Sequence, residues 1–105
     1  MPIVTNPDHL RALELRYVLT AYIHERGQLG VADLAALLRL DGFELDGRPS
    51  KAISDALRWE RRRGRVIRIG RGRYAPGLMP RQTAARISAR VRTLRERAVA
   101  PRWAE

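Results

Sequence analysis

The chain has 105 residues, enough for one small domain, and a formal net charge of +10. It contains no cysteine, which excludes disulfides, thiolate metal sites and a thiol nucleophile. No apolar run approaches the roughly 20 residues of a membrane span, and the N-terminus lacks the basic start and apolar core of a signal peptide. These features predict a cytoplasmic protein without a membrane partner.

The charge is unevenly distributed along the chain. Residues 1–47 hold four Arg against seven acidic residues, a net charge of −3, whereas residues 48–105 hold sixteen Arg and Lys51 against four acidic residues, a net charge of +13. The preference for Arg over Lys is also what a GC-rich coding bias produces, but such a bias does not place the charge in one half. The second half is therefore expected to attract polyanions, with an affinity that falls as salt rises.

A first helix is predicted over residues 6–26. Asn6 is a favoured N-cap residue, and Pro7 suits the first helical position. The apolar surface of this stretch is broad, which predicts a helix covered on more than one side. Gly27 supplies the stop.

A second helix is predicted over residues 32–40, after a short extended link at 28–31. Leucines recur at helical spacing in this helix, and Gly42 suits a left-handed position at its end. Phe43 and Leu45 follow in the next connection and are expected to cover the core.

The most basic segment begins with a third helix, predicted to start near Pro49 and to end at Gly64. One apolar stripe marks its buried side, formed by Ala52, Ile53, Ala56 and Leu57. A strand rich in β-branched residues is predicted over residues 65–69, followed by a glycine-bearing turn at 70–72 and a short return strand at 73–75.

A fourth helix is predicted after Pro80, ending at about Ala98. Its apolar residues form a narrow seam with steps of three and four, made by Ala84, Ile87, Val91, Leu94 and Ala98. Three interpretations remain open for this helix: it packs on the first helix, it pairs with its copy in a homodimer, or it lies on DNA. We expect residues 1–78 to form one domain, with residues 79–105 as a basic helix and tail that pack on it or in a dimer.

The order helix, link, helix, helix, hairpin resembles a winged helix-turn-helix domain over about residues 8–76. The run VIRIGRGRYAPG at residues 66–77 is similar to the wing of many small bacterial regulators. The connection at 41–48 is longer than the tight turn of the simplest helix-turn-helix pair. The resemblance implies a mainly α fold of three helices plus a small β-hairpin, the wing, to which this chain adds a C-terminal helix.

In that family the third helix enters the major groove and its N-terminal residues lie nearest the bases. Carried over position by position, the candidate DNA contacts of this helix are Arg48, Ser50, Lys51, Ser54, Asp55 and Arg58 near the bases, and Arg61, Arg62 and Arg63 near the backbone. An arginine donates two hydrogen bonds to guanine, and a serine hydroxyl reaches a base or a phosphate.

The wing supplies the remaining candidate contacts. Arg71 lies between two glycines and is therefore expected to approach the minor groove, whose negative potential attracts arginine. Arg68 and Arg73 are expected to hold flanking phosphates. Tyr74 is expected to pack in the wing and not to stack on a base.

The resemblance implies a protein that binds double-stranded DNA in the nucleoid, as a transcriptional regulator or a nucleoid-associated protein, without a cofactor. No enzymatic function is expected, because His9 and His24 are too far apart for a helical metal pair and no phosphate-binding loop is present. Two alternatives remain: a winged helix that binds proteins, such as an antitoxin or an RNA-polymerase accessory factor, and an RNA-binding protein.

Overall fold

A computed structural model gives the structure of residues 8–99. The described chain is mainly helical, as predicted. Its helices are α1 (Ala12–Arg26), α2 (Val31–Leu40), α3 (Pro49–Arg62) and α4 (Arg81–Val99). Its short strands are β1 (Asp8–His9), β2 (Leu29–Gly30), β3 (Phe43–Glu44), β4 (Val66–Gly70) and β5 (Arg73–Pro76).

The predicted hairpin is confirmed, and it is part of a three-stranded antiparallel sheet with the order β2-β5-β4. The third strand comes from the segment predicted to be an extended link: Leu29 pairs with Tyr74, and Gly30 pairs with Arg73. The Val31 N–H then donates to the Gly72 carbonyl at 2.9 Å, so the start of α2 is fixed to the turn of the hairpin.

The predicted start of the first helix at residue 6 is wrong. Residues 8 and 9 form β1, which pairs in parallel with β3, and the Leu10 N–H donates to the Glu44 carbonyl at 3.2 Å. Helix α1 begins only at Ala12, where the Glu14 carboxylate accepts a hydrogen bond from the Arg11 backbone N–H at 3.0 Å. Glu14 therefore does the capping that the sequence assigned to Asn6 and Pro7, which lie outside the described residues.

Helix α1 lies at the centre of the core, and its predicted burial on several sides is confirmed. Val18, Leu19, Tyr22 and Ile23 are completely buried. Helices α3 and α4 both pack on α1, and α2 and β5 also contact it. The helix is apolar on most of its surface because it has neighbours in several directions.

The apolar seam of α4 packs against α1. Ile87, Val91 and Leu94 are each at most 1% exposed. Burial of these side chains stabilises the helix in place, at roughly 1.5–3 kcal/mol for each large aliphatic residue. In this arrangement the same residues are not accessible to a second copy of the chain.

Ion pairs between α4 and the acidic first half accompany this apolar contact. Arg90 lies 2.8 Å from Glu14, and Arg95 lies 2.9 Å from Glu25 and 3.3 Å from Asp41. Part of the charge asymmetry along the chain is therefore neutralised by folding, because cations of the second half meet carboxylates of the first.

Tyr22 connects this ion-pair cluster to the core. Its hydroxyl donates to the Asp41 carboxylate at 2.6 Å, and the Arg95 guanidinium lies 5.4 Å from its ring centre. Burial, reinforced by the hydrogen bond to Asp41, raises the pKa of Tyr22 above its ordinary value. The phenol therefore remains a neutral donor at physiological pH.

The chain leaves the hairpin through a very close backbone approach. The Gly77 N–H donates to the Arg65 carbonyl at 2.9 Å, and the Leu78 N–H donates to the Gly64 carbonyl at 2.9 Å. A Cβ atom at residue 77 would lie 2.2 Å from the Gly64 carbonyl oxygen. Glycine is therefore required here for steric reasons.

We expect Gly77→Ala to lower the free energy of unfolding by about 1–3 kcal/mol, as overpacked substitutions do. Gly70→Ala is the matched control, because a Cβ atom at residue 70 of the same hairpin meets no atom within 4 Å. Urea unfolding followed by circular dichroism measures both. Equal midpoints for the two variants would contradict the steric role of Gly77.

Candidate nucleic-acid interface

Helix α3 begins and ends where the sequence predicts. Pro49 occupies the first helical position, where its missing N–H is not needed, and Gly64 adopts a left-handed backbone (φ 75°) just after the helix. Ile53, Ala56 and Leu57 are buried as predicted, and Ala52 is half-buried. The opposite face is therefore fixed toward solvent.

Glu60 has a role that was not predicted: it is completely buried on the inner side of α3. Its carboxylate accepts hydrogen bonds from the Thr20 hydroxyl at 2.8 Å, from Arg16 Nε at 3.0 Å and from Arg65 Nη1 at 3.4 Å. The signal was present in the helical spacing, because residue 60 falls on the same face as Ala56 and Leu57.

Trp59, next to Glu60, organises two guanidinium groups near the surface. The Arg62 guanidinium lies 5.0 Å from the ring centre, and that of Arg16 lies 5.9 Å away. Both distances are within the range of cation–π attraction. Trp59 is 51% exposed, so this contact restrains Arg62 without burying it.

The candidate residues of α3 lie on its outer face. All of them are exposed except Ser54 and Asp55, which are half-buried; the exposed ones are Arg48, Ser50, Lys51, Arg58, Arg61, Arg62 and Arg63. Lys51 Nζ lies 2.6 Å from Asp55, and Arg58 lies 4.0 Å from it. The hydrogen bond from Lys51 holds the pKa of Asp55 below its ordinary value.

The candidate residues of the hairpin are also exposed. Arg68 Nε donates to the Gly70 carbonyl at 3.2 Å, which directs its side chain along the strand. Arg71 occupies the turn, and Arg73 begins β5. Tyr74 is 5% exposed, which confirms the prediction that it packs in the hairpin.

One cleft of about 470 Å³ joins the end of α3 to β4. Its cationic side chains come from both elements: Arg58, Arg61 and Arg62 from the helix, and Arg68 from the strand. The structure therefore brings four of the predicted site residues together. Further candidates lie outside its lining: Arg48, Ser50, Lys51 and Ser54 are at the opposite end of α3, and Arg71 and Arg73 are at the turn and return strand of the hairpin.

The lining of the cleft holds four arginines and no acidic residue, although Asp55 lies 4.0 Å from Arg58. Between Arg48 and Arg95 the chain has two acidic residues, Asp55 and Glu60. Glu60 is buried and paired with Arg16 and Arg65, so it does not neutralise the exposed arginines. Such a concentration of exposed guanidinium groups attracts phosphate oxygens, which arginine binds through two parallel hydrogen bonds.

We expect Glu60→Gln to lower the free energy of unfolding by about 3–5 kcal/mol, because it leaves the largely buried guanidinium groups of Arg16 and Arg65 without a counter-charge. Glu96→Gln is the control, since Glu96 is exposed on α4 and carries the same change in charge. Thermal unfolding should separate the two variants clearly. A Glu60 variant as stable as the control would contradict the structural role of the carboxylate.

No family model matches the chain, and comparisons with curated proteins and with solved structures give no significant match. Among residues 8–99, none of the helices has the length and apolar character needed to cross a membrane.

Proposed function

We propose that the protein binds double-stranded DNA as a winged helix-turn-helix protein, with α3 in the major groove and the β4–β5 hairpin as the wing. The observation that carries this proposal is the convergence of Arg58, Arg61, Arg62 and Arg68 on one cleft between the helix and the hairpin. A phosphate backbone that follows the edge of the major groove fits between two such elements.

The dimensions of α3 suit this function. Its 14 residues give a length of about 20 Å, and the major groove, about 12 Å wide, admits an α-helix. The N-cap residue Arg48 and the first-half residues Ser50, Lys51 and Ser54 approach the base edges, while the arginines near the end of the helix contact the backbone.

The hairpin adds a second contact beside the helix. Arg71 lies in a tight turn and Arg73 on the strand that follows, and both residues are exposed. We propose that Arg71 enters the adjacent minor groove and that Arg68 and Arg73 hold phosphates on either side. Contacts of this kind serve a transcriptional regulator or a nucleoid-associated protein of the cytoplasm.

Binding to duplex DNA is expected to weaken as salt increases. Each phosphate neutralised by an arginine releases counterions, which gives a slope of about −0.9 per contact in a plot of log K against log salt concentration. Fluorescence anisotropy with a labelled duplex between low and high salt measures this slope. Absence of binding at low salt, or binding that salt leaves unchanged, would reject the proposal.

The cleft itself is tested by the double variant Arg61→Ala/Arg68→Ala. It should weaken binding to all duplexes and make the salt slope shallower by about 0.9 for each lost phosphate contact. The matched control is Arg86→Ala/Arg92→Ala, which removes the same charge from exposed positions on α4. Equal losses in both variants would show that only net charge matters and that the cleft is not the binding site.

A second candidate function, binding of a protein partner, is favoured by two exposed isoleucines. Ile67 and Ile69 of β4 are 53% and 46% exposed, so this part of the strand presents an apolar face to solvent. An antitoxin or an RNA-polymerase accessory factor would use such a face. A stoichiometric partner that co-purifies with the native protein and is lost with Ile67→Ser/Ile69→Ser, together with no duplex binding, would support this candidate over the first.

A further inference from the structure

Asp55 lies in the middle of the outward face of α3, between the cations that the proposed DNA interface requires. Lys51 precedes it by four residues and Arg58 follows it by three, so all three side chains share one helical face. The side chain of Asp55 is 48% exposed, against 73% for Lys51 and 63% for Arg58. Its carboxylate is therefore less exposed than the two cationic side chains on either side of it.

A carboxylate at this position opposes non-specific attraction to DNA. Among the residues from Arg48 to Arg95, Asp55 is the one acidic side chain that reaches solvent, because Glu60 is completely buried. It repels phosphates and reduces the positive charge of Lys51 and Arg58. The group of DNA to which a carboxylate can bind directly is a hydrogen-bond donor on a base edge, such as an amino group.

The geometry leaves one oxygen of Asp55 able to accept such a bond. Lys51 Nζ lies 2.6 Å from Oδ2, whereas Arg58 Nη2 lies 4.0 Å from Oδ1, beyond hydrogen-bond distance. The two cations therefore orient the carboxylate, while Oδ1 can still accept a further hydrogen bond. Since the hydrogen bond from Lys51 stabilises the ionised form of Asp55, both oxygens act only as acceptors.

We propose that Asp55 and Arg58 together read one C·G base pair: Asp55 Oδ1 accepts a hydrogen bond from the cytosine N4 amino group, and Arg58 donates to O6 and N7 of the paired guanine. This inference rests on the proposed function of α3. Adjacent acceptor and donor side chains match the adjacent donor and acceptors that a C·G pair presents in the major groove. Adenine fits less well, because its N6 amino group lies beside N7, an acceptor that repels the carboxylate.

The alternative is that Asp55 only holds Lys51 and Arg58 in place and lowers affinity for every sequence. Substitutions at residue 55 separate the two roles. Loss of a base contact changes which sequences are preferred, whereas loss of a general electrostatic restraint changes affinity for all duplexes by the same factor. The side chain of Asp55 is 48% exposed, and circular dichroism verifies that each variant remains folded.

The experiment is selection of bound duplexes from a random library by the native protein, Asp55→Ala, Asp55→Asn and the control Glu96→Ala. Glu96→Ala raises the net charge by the same one unit at an exposed position of α4. We expect the native protein and the control to select a fixed C·G pair, and we expect the preference for that pair to fall with Asp55→Ala, which leaves only the Arg58 contact to guanine. Affinity for the native site should fall by about 5- to 150-fold, the range equivalent to 1–3 kcal/mol. Asp55→Asn should instead favour A·T at that position, because an amide pairs with adenine N6 and N7.

Three outcomes would overturn the inference, and they are distinguishable from failure of the proposed function. If Asp55→Ala keeps the native preference and tightens binding to all duplexes equally, the carboxylate is an electrostatic restraint. If the native protein shows salt-dependent binding without sequence preference, the proposed DNA interface is supported and base recognition by Asp55 is rejected. If the native protein binds no duplex at low salt, the proposed function fails as well.

Discussion

The buried carboxylate of Glu60 is the contact on which the relative placement of α3 and the hairpin depends. It joins α3 to Arg16 and Thr20 of α1 and to Arg65, the residue before β4. A buried charge without partners costs several kcal/mol, so these groups must stay within hydrogen-bond distance for the fold to persist. The His24 ring, 2.7 Å from the Arg65 carbonyl through Nε2, adds a second connection between α1 and the same residue.

The arginines of the chain consequently serve two purposes. One set is structural: Arg16 and Arg65 neutralise Glu60, and Arg95 holds α4 to Glu25 and Asp41. The other set is exposed at the cleft and the hairpin. Net charge along the sequence does not separate these sets, since a cation next to a buried carboxylate contributes little to the field outside the protein. Burial and ion pairing distinguish the arginines that are neutralised inside the fold from those that are exposed at the surface.

Features set by local sequence were predictable, and features set by distant partners were not. The start of α3 at Pro49, the stop at Gly27 and the turn of the hairpin follow from backbone preferences of single residues. Strand β2 and the strand before α1 form because of pairing with residues more than 30 positions away. Burial of Glu60 is an intermediate case, because its helical spacing from Ala56 and Leu57 places it on the buried face, whereas its partners Arg16 and Thr20 lie more than 39 positions earlier in the chain.

The two acidic residues of α3 connect the core to the surface that we propose reads DNA. At 3.6 residues per turn, positions 55 and 60 are separated by about 140° around the helix axis. Glu60 is fixed inward by its hydrogen bonds, which sets the rotation of α3 about its own axis and thereby directs Asp55 outward. A helix held only by aliphatic side chains tolerates small rotations as its core repacks, whereas three directed hydrogen bonds to one carboxylate oppose them. The same constraint that stabilises the domain therefore determines which side chains α3 presents to a groove.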